Sequence, residues 1–307
     1  CAIPAIMATR NIENWKERLI TILVTPFTTC SARLPVYAII IALVIPEKRI
    51  FGVINMQGLT LMLLYLLGFG MAIFSAYILN KILKIKGKTY FVVEMPNYKL
   101  PMFKNVAINV IEKTKAFVFG AGKIILAISI VLWFLASYGP GEKFNNAEKI
   151  VIEKNLAKPL NASELQNAIA SQKLENSYIG LMGKTIEPAI SPLGYDWKIG
   201  VAIISSFAAR EVFVGTLATI YSVGDSDNDN TIKNKMQAEI NPETGQKIFN
   251  FASGISLLLF YAFAMQCAST IAITKKETNS WKWPLGQLIF MSGLAYLVAL
   301  IAYQILK

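Results

Sequence analysis

Cysteine is the residue of this sequence with the clearest potential for metal chemistry. Cys1, Cys30 and Cys267 form no closely spaced pair of the kind that marks a zinc or redox motif, so we expect free thiols. The sequence contains no histidine, which excludes imidazole as a metal ligand, general base or proton relay. Metal binding would therefore fall to sulfur, carboxylate and carbonyl oxygen ligands.

Cys30 lies where the chain is expected to leave helical geometry. Pro26 and Pro35 flank it inside an apolar segment, and a proline within a helix removes one backbone donor and clashes with the preceding turn. The carbonyl groups freed there, together with the hydroxyl of Ser31, would lie next to the thiol. We therefore interpret this stretch as a candidate ion-binding break in a helix.

Three ionised side chains interrupt apolar stretches at positions that would lie deep in a membrane. A charge at the centre of a bilayer costs about 2.5 to 3.5 kcal/mol, so each needs a partner or water. The interrupted stretches are 19–32 and 34–46 around Arg33, and 199–209 and 212–224 around Arg210 and Glu211. Because neighbours on a helix do not face each other, Arg210 and Glu211 need different partners, and Arg33 is the expected partner of Glu211. These residues form either part of an ion pathway or a structural buried ion pair.

The composition places the chain in a membrane. Hydrophobic residues make up 54% of the sequence and charged residues only 16%, which is too apolar for an ordinary water-soluble domain. The excess of 30 Lys and Arg over 19 Asp and Glu is more typical of cytoplasmic loops than of nucleic-acid binding. We therefore expect membrane lipid as a partner and no nucleic acid.

Apolar runs of about 20 residues predict transmembrane helices, since that length crosses a hydrocarbon core about 30 Å thick. The predicted spans without a central charge are 51–80, 116–138, 251–274 and 284–306. With the two interrupted stretches they predict an all-α polytopic integral membrane protein of six spans, or seven if residues 178–192 also cross.

The loops predict the orientation of these spans. Residues 81–115 contain eight lysines and two glutamates, which makes this loop cytoplasmic by the positive-inside rule and places the amino terminus on the same side. If residues 178–192 only dip into the membrane, the carboxyl terminus is cytoplasmic, and segment lengths favour this. If they cross, it is outside, and the lysines after residue 274 favour that. We expect the first arrangement.

Five stretches of the sequence resemble the ferrous iron transport protein B (FeoB) family, in the family's order. They are CAIPAIMATR at 1–10, TPFTTCSARLPVY at 25–37, FVVEMPNYKLP at 91–101, AAREVFVGTLATIY at 208–221, and Cys267 followed by ETNSWKW at 277–283. The resemblance runs nearly end to end and spares mainly two polar loops. One departure is Gln266, where family members often have proline, so the break before Cys267 is expected to be less sharp.

The resemblance implies transport of Fe2+ across a bacterial inner membrane by a multi-pass permease, with Fe2+ as transported substrate and no permanently bound cofactor. The stretches of Cys1 and Cys30 look like the first of the family's two gate regions, and those of Arg210 and Cys267 look like the second. The candidate metal ligands are Cys1, Cys30, Ser31 and Cys267. The candidates for the pathway or for ion pairs are Arg33, Glu94, Arg210 and Glu211.

The resemblance also implies a division of the chain and a set of partners. We expect a first gate region with its following spans over 1–138, an extramembrane polar loop over 139–177, and a second gate region with the carboxyl-terminal spans over 178–307. Ala-Thr-Arg before Cys30 and Ala-Ala-Arg before Cys267 fit an internal repeat, although chance similarity fits equally well. An upstream GTPase domain is expected to carry the enzymatic activity and to bind GTP. A small accessory Feo protein and a homo-oligomer are further expectations.

Two alternatives remain open. A permease for another solute, such as a nucleoside, could use similar broken helices, and a non-transporting membrane subunit could organise a complex. At the level of single residues, free cysteines commonly pack as small hydrophobic side chains without any role in metal binding. A requirement for the cysteines in uptake would favour a metal over a nucleoside.

Overall fold

The computed structural model describes residues 2–50, 54–83, 102–154, 162–207, 210, 212–220, 236 and 247–307. Within these ranges the regular secondary structure is helical apart from one short hairpin. The helices are α1 (Ala2–Ala8), α2 (Trp15–Val24), α3 (Leu34–Val44), α4 (Met56–Ile82), α5 (Phe103–Phe117), α6 (Lys123–Ser137), α7 (Glu142–Asn145), α8 (Ala147–Lys154), α9 (Ala162–Glu175), α10 (Tyr178–Ile190), α11 (Trp197–Ser206), α12 (Val212–Ile220), α13 (Phe251–Phe263), α14 (Ala268–Thr278) and α15 (Lys282–Leu306). Strands β1 (Arg49–Ile50) and β2 (Ile54–Asn55) pair antiparallel between α3 and α4.

Six apolar helical segments build the body of the protein. Four are long enough to cross a membrane and two are shorter: Trp15–Val44, Met56–Ile82, Phe251–Thr278 and Lys282–Leu306, then Ile125–Ser137 and Trp197–Ser206. The prediction of an all-α polytopic membrane protein is confirmed. Among the described residues each of the six segments overlaps one of the six predicted apolar stretches, but Trp197–Ser206 covers only the first part of 199–224. A helix rises about 1.5 Å per residue, so α15, with 25 residues, is long enough to cross the hydrocarbon core.

Basic residues near the amino terminus define one face of the helix bundle, which we call the basic face. Arg10 and Arg18 both bind the carboxylate of Glu277 near the end of α14, and the ammonium group of Lys16 donates to the carbonyl of Asn80 near the end of α4 (3.0 Å). Thus α2 begins at the basic face, whereas α4 and α14 end there. The sequence predicts that the amino-terminal residues and the end of the span 51–80 lie on the same side, and this prediction is confirmed.

The two broken spans run in opposite directions through the bundle. The segment α2–α3 leads away from the basic face, and the segment α13–α14 leads toward it. Their neighbours correspond, because α2 packs on α4 as α13 packs on α15, and α3 contacts α13 as α14 contacts α2. An antiparallel pair of broken segments with matching neighbours is the pattern of an inverted repeat and supports the predicted repeat.

A hairpin of α11 and α12 enters and leaves the bundle on the face opposite to the basic face. It begins beside the end of α15, where the amide of Gln304 donates to the carbonyl of Pro192 (3.4 Å). It ends beside α9, where the hydroxyl of Ser171 donates to the carbonyl of Ile220 (2.8 Å). The segment around Arg210 therefore turns back within the bundle and does not cross it.

Because this hairpin does not cross the bundle, the chain ends on a different face from the one that a crossing here would give. Since α15 starts next to α14 at the basic face and runs through the bundle, Lys307 lies on the opposite face. The predictions of a cytoplasmic amino terminus and a cytoplasmic carboxyl terminus therefore cannot both hold, because Arg10 and Lys307 lie on opposite faces. The apolar stretch around Arg210 is long enough to cross the membrane once. Helices α11 and α12 pack against each other instead, so the chain makes one crossing fewer than predicted.

The carboxylate of Glu277 links three helical elements at the basic face. Its side chain is only 3% exposed, and it accepts hydrogen bonds from Nε of Arg10 (3.0 Å) and from Nη2 of Arg18 (2.8 Å). Arg10 follows α1, Arg18 lies in α2 and Glu277 in α14, so this cluster joins the beginning of the chain to the second broken span. The hydrogen bond that Arg10 donates to Glu277 raises the pKa of the Arg10 guanidinium.

Substitution of Glu277 by Gln should weaken this junction more than the loss of an ordinary surface ion pair. Removing one member of a fully buried pair costs about 3 to 5 kcal/mol, and here we expect about 2 kcal/mol because Arg10 is half-exposed. Thermal unfolding of the detergent-solubilised protein should show a drop of several degrees. The matched control is Glu175→Gln, which breaks the exposed pair with Lys184 and should change Tm little. Equal shifts in the two variants would contradict the assignment.

Candidate functional site

The first break separates α2 from α3 and is held by the side chain of Arg33. Two turns of 3-10 helix, Thr25–Phe27 and Ser31–Arg33, flank an extended stretch, and Cys30 has extended backbone geometry (φ −100°, ψ 158°). Pro26 and Pro35 lie near the amino-terminal ends of the helical turns that contain them, where their missing N–H groups cost no hydrogen bond. The break predicted from the two prolines is confirmed.

Arg33 binds backbone carbonyls in the first break. Its side chain is 1% exposed, and its guanidinium donates to the carbonyls of Pro26 (3.0 Å), Phe27 (3.3 Å) and Thr28 (3.4 Å). These carbonyls lack helical partners because the helix stops here. The predicted partner, Glu211, lies outside the described residues, so its pairing with Arg33 stays a prediction.

Helix α4 packs against this break at Gly68. A Cβ atom at Gly68 would come within 3.1 Å of Oγ1 of Thr29 and within 3.2 Å of the carbonyl oxygen of Phe27. A larger residue would push the helix away from the freed carbonyls. Gly68 therefore permits the close approach of α4 to the non-helical backbone.

The second break is the tip of the α11–α12 hairpin. Helix α11 ends at Ser206, and Phe207 and Arg210 are in turns before α12 begins. Arg210 is 6% exposed, and its Nη2 donates to the carbonyl of Ala264 (2.9 Å) across 54 residues of sequence. The break expected around Arg210 is thus confirmed for the residues described, while Glu211 lies outside them.

The third break separates α13 from α14 and is sharper than the sequence indicates. Residues 264–267 leave helical geometry, with Ala264 (φ −64°, ψ 138°) and Cys267 (φ −155°, ψ 106°) both extended. Four consecutive residues leave helical geometry although no proline lies among them. The expectation of a less sharp break at Gln266 is therefore wrong. The second break supplies the missing partners, because Arg210 binds the carbonyl of Ala264 and the carbonyl of Phe207 accepts from the N–H of Ala268 (3.0 Å).

The first and third breaks use an arginine at corresponding carbonyls. Phe27 lies three residues before Cys30, and Ala264 lies three residues before Cys267. Each of these carbonyls accepts a hydrogen bond from a buried guanidinium, Arg33 in one case and Arg210 in the other. In both halves of the repeat a buried guanidinium therefore donates to a carbonyl freed by the break, although the two arginines come from non-equivalent positions.

The three breaks meet at one depth of the bundle. The guanidinium groups of Arg33 and Arg210 lie near each other and near the side chain of Tyr37. The rings of Phe27 and Phe263 pack edge to face with centroids 6.5 Å apart, which joins the first break to the end of α13. The side chain of Cys30 lies near Arg33. The structure therefore brings the predicted residues Cys30, Arg33 and Arg210 together.

Buried polar atoms without a hydrogen-bond partner among the described residues concentrate at these breaks. They include Oγ1 of Thr29, Nε of Arg33, the hydroxyl of Tyr37, Nη1 of Arg210, both amide atoms of Gln266 and Oγ of Ser269. Nearly all buried polar atoms in proteins are paired with protein, water or an ion, so such a cluster needs an explanation. These atoms give the meeting point of the breaks the polarity needed to take water or a cation.

The predicted metal ligands have different surroundings. Cys30 and Cys267 are partly exposed free thiols, one in the first break and one in the third, as expected for both. Ser31 is exposed. No cluster of three or more Cys, Asp or Glu side chains capable of holding a metal occurs in the described part of the chain. Cys1 and Glu94 lie outside that part.

A cavity of about 340 Å³ opens next to the third break. It is partly open, lies between α6, α11, α13 and α15, and is lined mainly by apolar side chains. Gln266 and Ser292 are the polar residues of its wall. The sequence analysis does not predict this cavity, although the lone amide of Gln266 within an apolar run was a usable signal.

Asp196 anchors the beginning of α11, the helix that carries the second break. Its carboxylate accepts a hydrogen bond from the N–H of Ile199 (3.0 Å) and is 6% exposed. The turn that contains it lies beside the end of α15, at the face opposite to the basic face. Burial raises the pKa of Asp196 to about 6, and the hydrogen bond from Ile199 opposes this rise.

Comparison with protein families gives two matches. The Gate family, described as nucleoside recognition, matches residues 1–44 and 118–281. The family described as ferrous iron transport protein B C terminus matches residues 61–113. All three helix breaks fall within the Gate match.

Curated relatives match this chain over nearly its whole length. The Fe(2+) transporter FeoB of Leptospira interrogans is 44% identical over 305 residues, 99% of this chain and 41% of the relative. That of Leptospira biflexa is 42% identical over 308 residues, 100% of this chain and 41% of the relative. The Fe(2+) transport protein A/Fe(2+) transporter FeoB fusion protein of Porphyromonas gingivalis is 34% identical over 315 residues, 99% of this chain and 36% of the relative. The chain thus spans about two fifths of the length of these relatives. No solved structure matches it.

The elevated pKa of Asp196 predicts a pH dependence of stability. Because the folded state holds the proton up to about pH 6 and the usual value is 3.8, the contribution of this group is largest below about pH 4 and falls as pH rises through 6. Asp196→Asn keeps an oxygen for the N–H of Ile199 but has no proton to lose. In detergent at about pH 7.5, the variant should be more stable than wild type by about 2 kcal/mol, with the difference shrinking toward pH 4. Parallel pH profiles of Tm would contradict this.

Proposed function

Because the chain belongs to the ferrous iron transport protein B family, whose Gate region it contains, we propose that it forms the permeation unit through which Fe2+ crosses the bacterial inner membrane. Fe2+ is the transported substrate in this account and is not a resident cofactor. By the positive-inside rule the basic face is cytoplasmic, and the opposite face receives the ion.

One observation carries this proposal: three helix breaks and a set of unpartnered polar atoms meet inside an apolar bundle, and two of the breaks each contain a free thiol. Non-helical backbone at membrane depth is tolerated where it is buried in protein or lines a water-filled cavity. Discontinuous helices from two inverted repeats form substrate sites near the bilayer midplane in many transporters. The first and third breaks have this arrangement, and the second break supports the third.

Sulfur and backbone oxygen are the ligands that we assign to the ion. Fe2+ is of borderline softness, so the thiolates of Cys30 and Cys267 and nearby carbonyl oxygens suit it. The hydroxyl of Ser31 and the thiol of Cys1 are further candidates from the sequence. Ligation must be transient, because a closed set of ligands would hold the ion and prevent its release. A thiol must lose its proton to bind, so uptake should slow as pH falls.

The buried arginines position the backbone and do not touch the ion. Arg33 and Arg210 would repel a bare cation, and their described hydrogen bonds go to carbonyls at the breaks. Thiolates at Cys30 and Cys267 would offset this positive charge while the ion passes. Glu211 is the proposed partner of Arg33, and Glu94 would attract cations on the cytoplasmic side or couple to a GTPase domain.

The functional division of the chain follows the repeat. Residues 1–138 supply the first gate and its following spans, residues 139–177 an extramembrane segment, and residues 178–307 the second gate. The relatives are more than twice as long, so a GTPase domain that uses GTP upstream of this chain fits the proposal. The fusion protein of Porphyromonas gingivalis supports a small accessory Feo protein as partner. Assembly into a homo-oligomer belongs to the same proposal.

A nucleoside permease is the second candidate, and the description of the Gate family favours it. The cavity beside the third break, at about 340 Å³, falls in the size range of small-molecule sites. Its wall is mainly apolar, however, and the free thiols of the breaks have no role in nucleoside binding. A non-transporting assembly subunit would need neither the thiols nor the polar atoms of the breaks.

Cys30→Ser tests the proposal. Full-length protein containing this chain is reconstituted into vesicles that enclose a fluorescent Fe2+ indicator, with GTP supplied to the GTPase domain. Because a hydroxyl replaces the thiolate with a harder and weaker ligand, initial Fe2+ uptake should fall at least about tenfold. Unchanged GTP hydrolysis and elution from gel filtration control for folding.

Three other outcomes would count against Fe2+ transport through this site. Wild-type uptake rates in the Cys30→Ser variant would remove this thiol from the pathway. Uptake of radiolabelled nucleoside, with no Fe2+ flux in the wild type, would favour the second candidate. Absence of flux for either solute would favour an assembly subunit.

A further inference from the structure

Helix α5 is exposed along its length. Every side chain of α5 that the structure describes is exposed, and Phe103 and Ile111 are 94% and 63% exposed. Among the described elements, α5 packs extensively only on the π-helical turn that follows it, Val118–Gly122. A row of large apolar side chains left open in this way indicates an interaction surface.

The two sides of α5 differ in chemistry. With 3.6 residues per turn, one side combines apolar side chains with lysines, namely Phe103, Val106, Val110 and Ile111 with Lys104 and Lys115. The opposite side carries amide and carboxylate groups, at Asn105, Asn109 and Glu112. An apolar side alone would fit another helix, but lysines within it add complementarity to a negatively charged surface. Lysine stems can lie along acyl chains while their ammonium groups reach the phosphates of lipid headgroups.

The surrounding helices place α5 at the basic face. Helix α5, the π-helical turn and α6 follow one another without interruption and extend for about 50 Å, whereas the hydrocarbon core is about 30 Å thick. The π-helical turn packs on α14, which ends at the basic face, and α6 leads away from it to α9 and α10. The surplus length is therefore α5, and it lies at the basic face.

Tryptophan and lysine side chains indicate where the membrane boundary lies at this face. Trp15 begins α2, Trp281 precedes α15, and both are exposed, as is typical of side chains at the membrane–water interface. The ammonium group of Lys275 lies 4.2 Å from the ring centroid of Trp281. Inside the apolar span, the ammonium group of Lys123 lies 5.7 Å from the ring centroid of Phe119, one turn closer to α5. Lys123 therefore extends toward the headgroups at the basic face.

We propose that α5 is an interfacial helix that lies on the cytoplasmic surface of the membrane, with its apolar side among acyl chains and the ammonium groups of Lys104 and Lys115 on the phosphates of anionic lipids. The π-helical turn supplies the bend between α5 and α6, because such turns are a common cause of helix kinks. This assignment does not depend on which solute crosses the protein. It gives lipid recognition to a helix that lies outside the three breaks.

Brominated lipids test the position of α5. Full-length protein is reconstituted into vesicles of equal parts phosphatidylglycerol and phosphatidylcholine, with bromine on the acyl chains of the phosphatidylcholine, and wild-type fluorescence is subtracted. Ile111→Trp adds an indole on the apolar side, and Asn109→Trp is the matched control about 160° around the helix. Because bromine quenches only indoles that reach the acyl chains, quenching of the added fluorescence should be about twofold stronger for Ile111→Trp.

Charge reversal tests the role of the lysines. In the Ile111→Trp background, Lys104→Glu with Lys115→Glu should weaken the quenching, as should molar salt or vesicles without phosphatidylglycerol. The matched control is Lys149→Glu with Lys173→Glu, which makes the same change in exposed lysines of α8 and α9 and should leave the quenching unchanged.

Three results would overturn the assignment. The first is equal quenching at positions 109 and 111. The second is quenching that depends neither on the lysines nor on the lipid charge. The third is blue-shifted emission of Ile111→Trp without quenching, which would show that another part of the protein covers α5. Lysine-dependent quenching in protein that takes up no Fe2+ would support this assignment while contradicting the proposed function.

Discussion

The hydrogen bond from a buried guanidinium to a freed carbonyl is the interaction on which the centre of this protein depends. A helix that stops inside a membrane leaves carbonyls that water cannot reach, and each unpaired group costs several kcal/mol. Arg33 binds three such carbonyls in the first break, and Arg210 binds that of Ala264 in the third. With these carbonyls held, the backbone around Cys30 and Cys267 can stay extended, and the thiols and neighbouring oxygens are available to a solute.

The inverted arrangement explains why the breaks coincide. Because α2–α3 and α13–α14 run in opposite directions and have corresponding neighbours, breaks near their centres come to one depth. The hairpin of α11 and α12 reaches this depth from the opposite face and supplies Arg210. At the basic face, Glu277 joins the end of α14 to Arg10 and Arg18.

Local features of the sequence predict the apolar segments and the first break, because hydrophobic runs and the pair Pro26 and Pro35 act within a few residues. The third break contains no proline, and its geometry depends on Arg210, which lies 54 residues away and is invisible to any local pattern. The hairpin around Arg210 is as long and apolar as a crossing helix. Only its packing against neighbouring helices distinguishes a hairpin from a crossing. For Arg33, charge alone suggested a carboxylate partner, whereas the freed carbonyls satisfy most of its donors. The shared depth of Cys30 and Arg210 likewise follows from tertiary packing.

The central claim is that a divalent cation passes between the three breaks. Anomalous scattering at the iron edge, from crystals of the full-length protein prepared anaerobically with Fe2+, locates the ion directly. The account predicts a peak within bonding distance of the sulfur of Cys30 or Cys267, beside the carbonyls that Arg33 and Arg210 hold in place. Peaks confined to the protein surface, with none near any of the breaks, would contradict it.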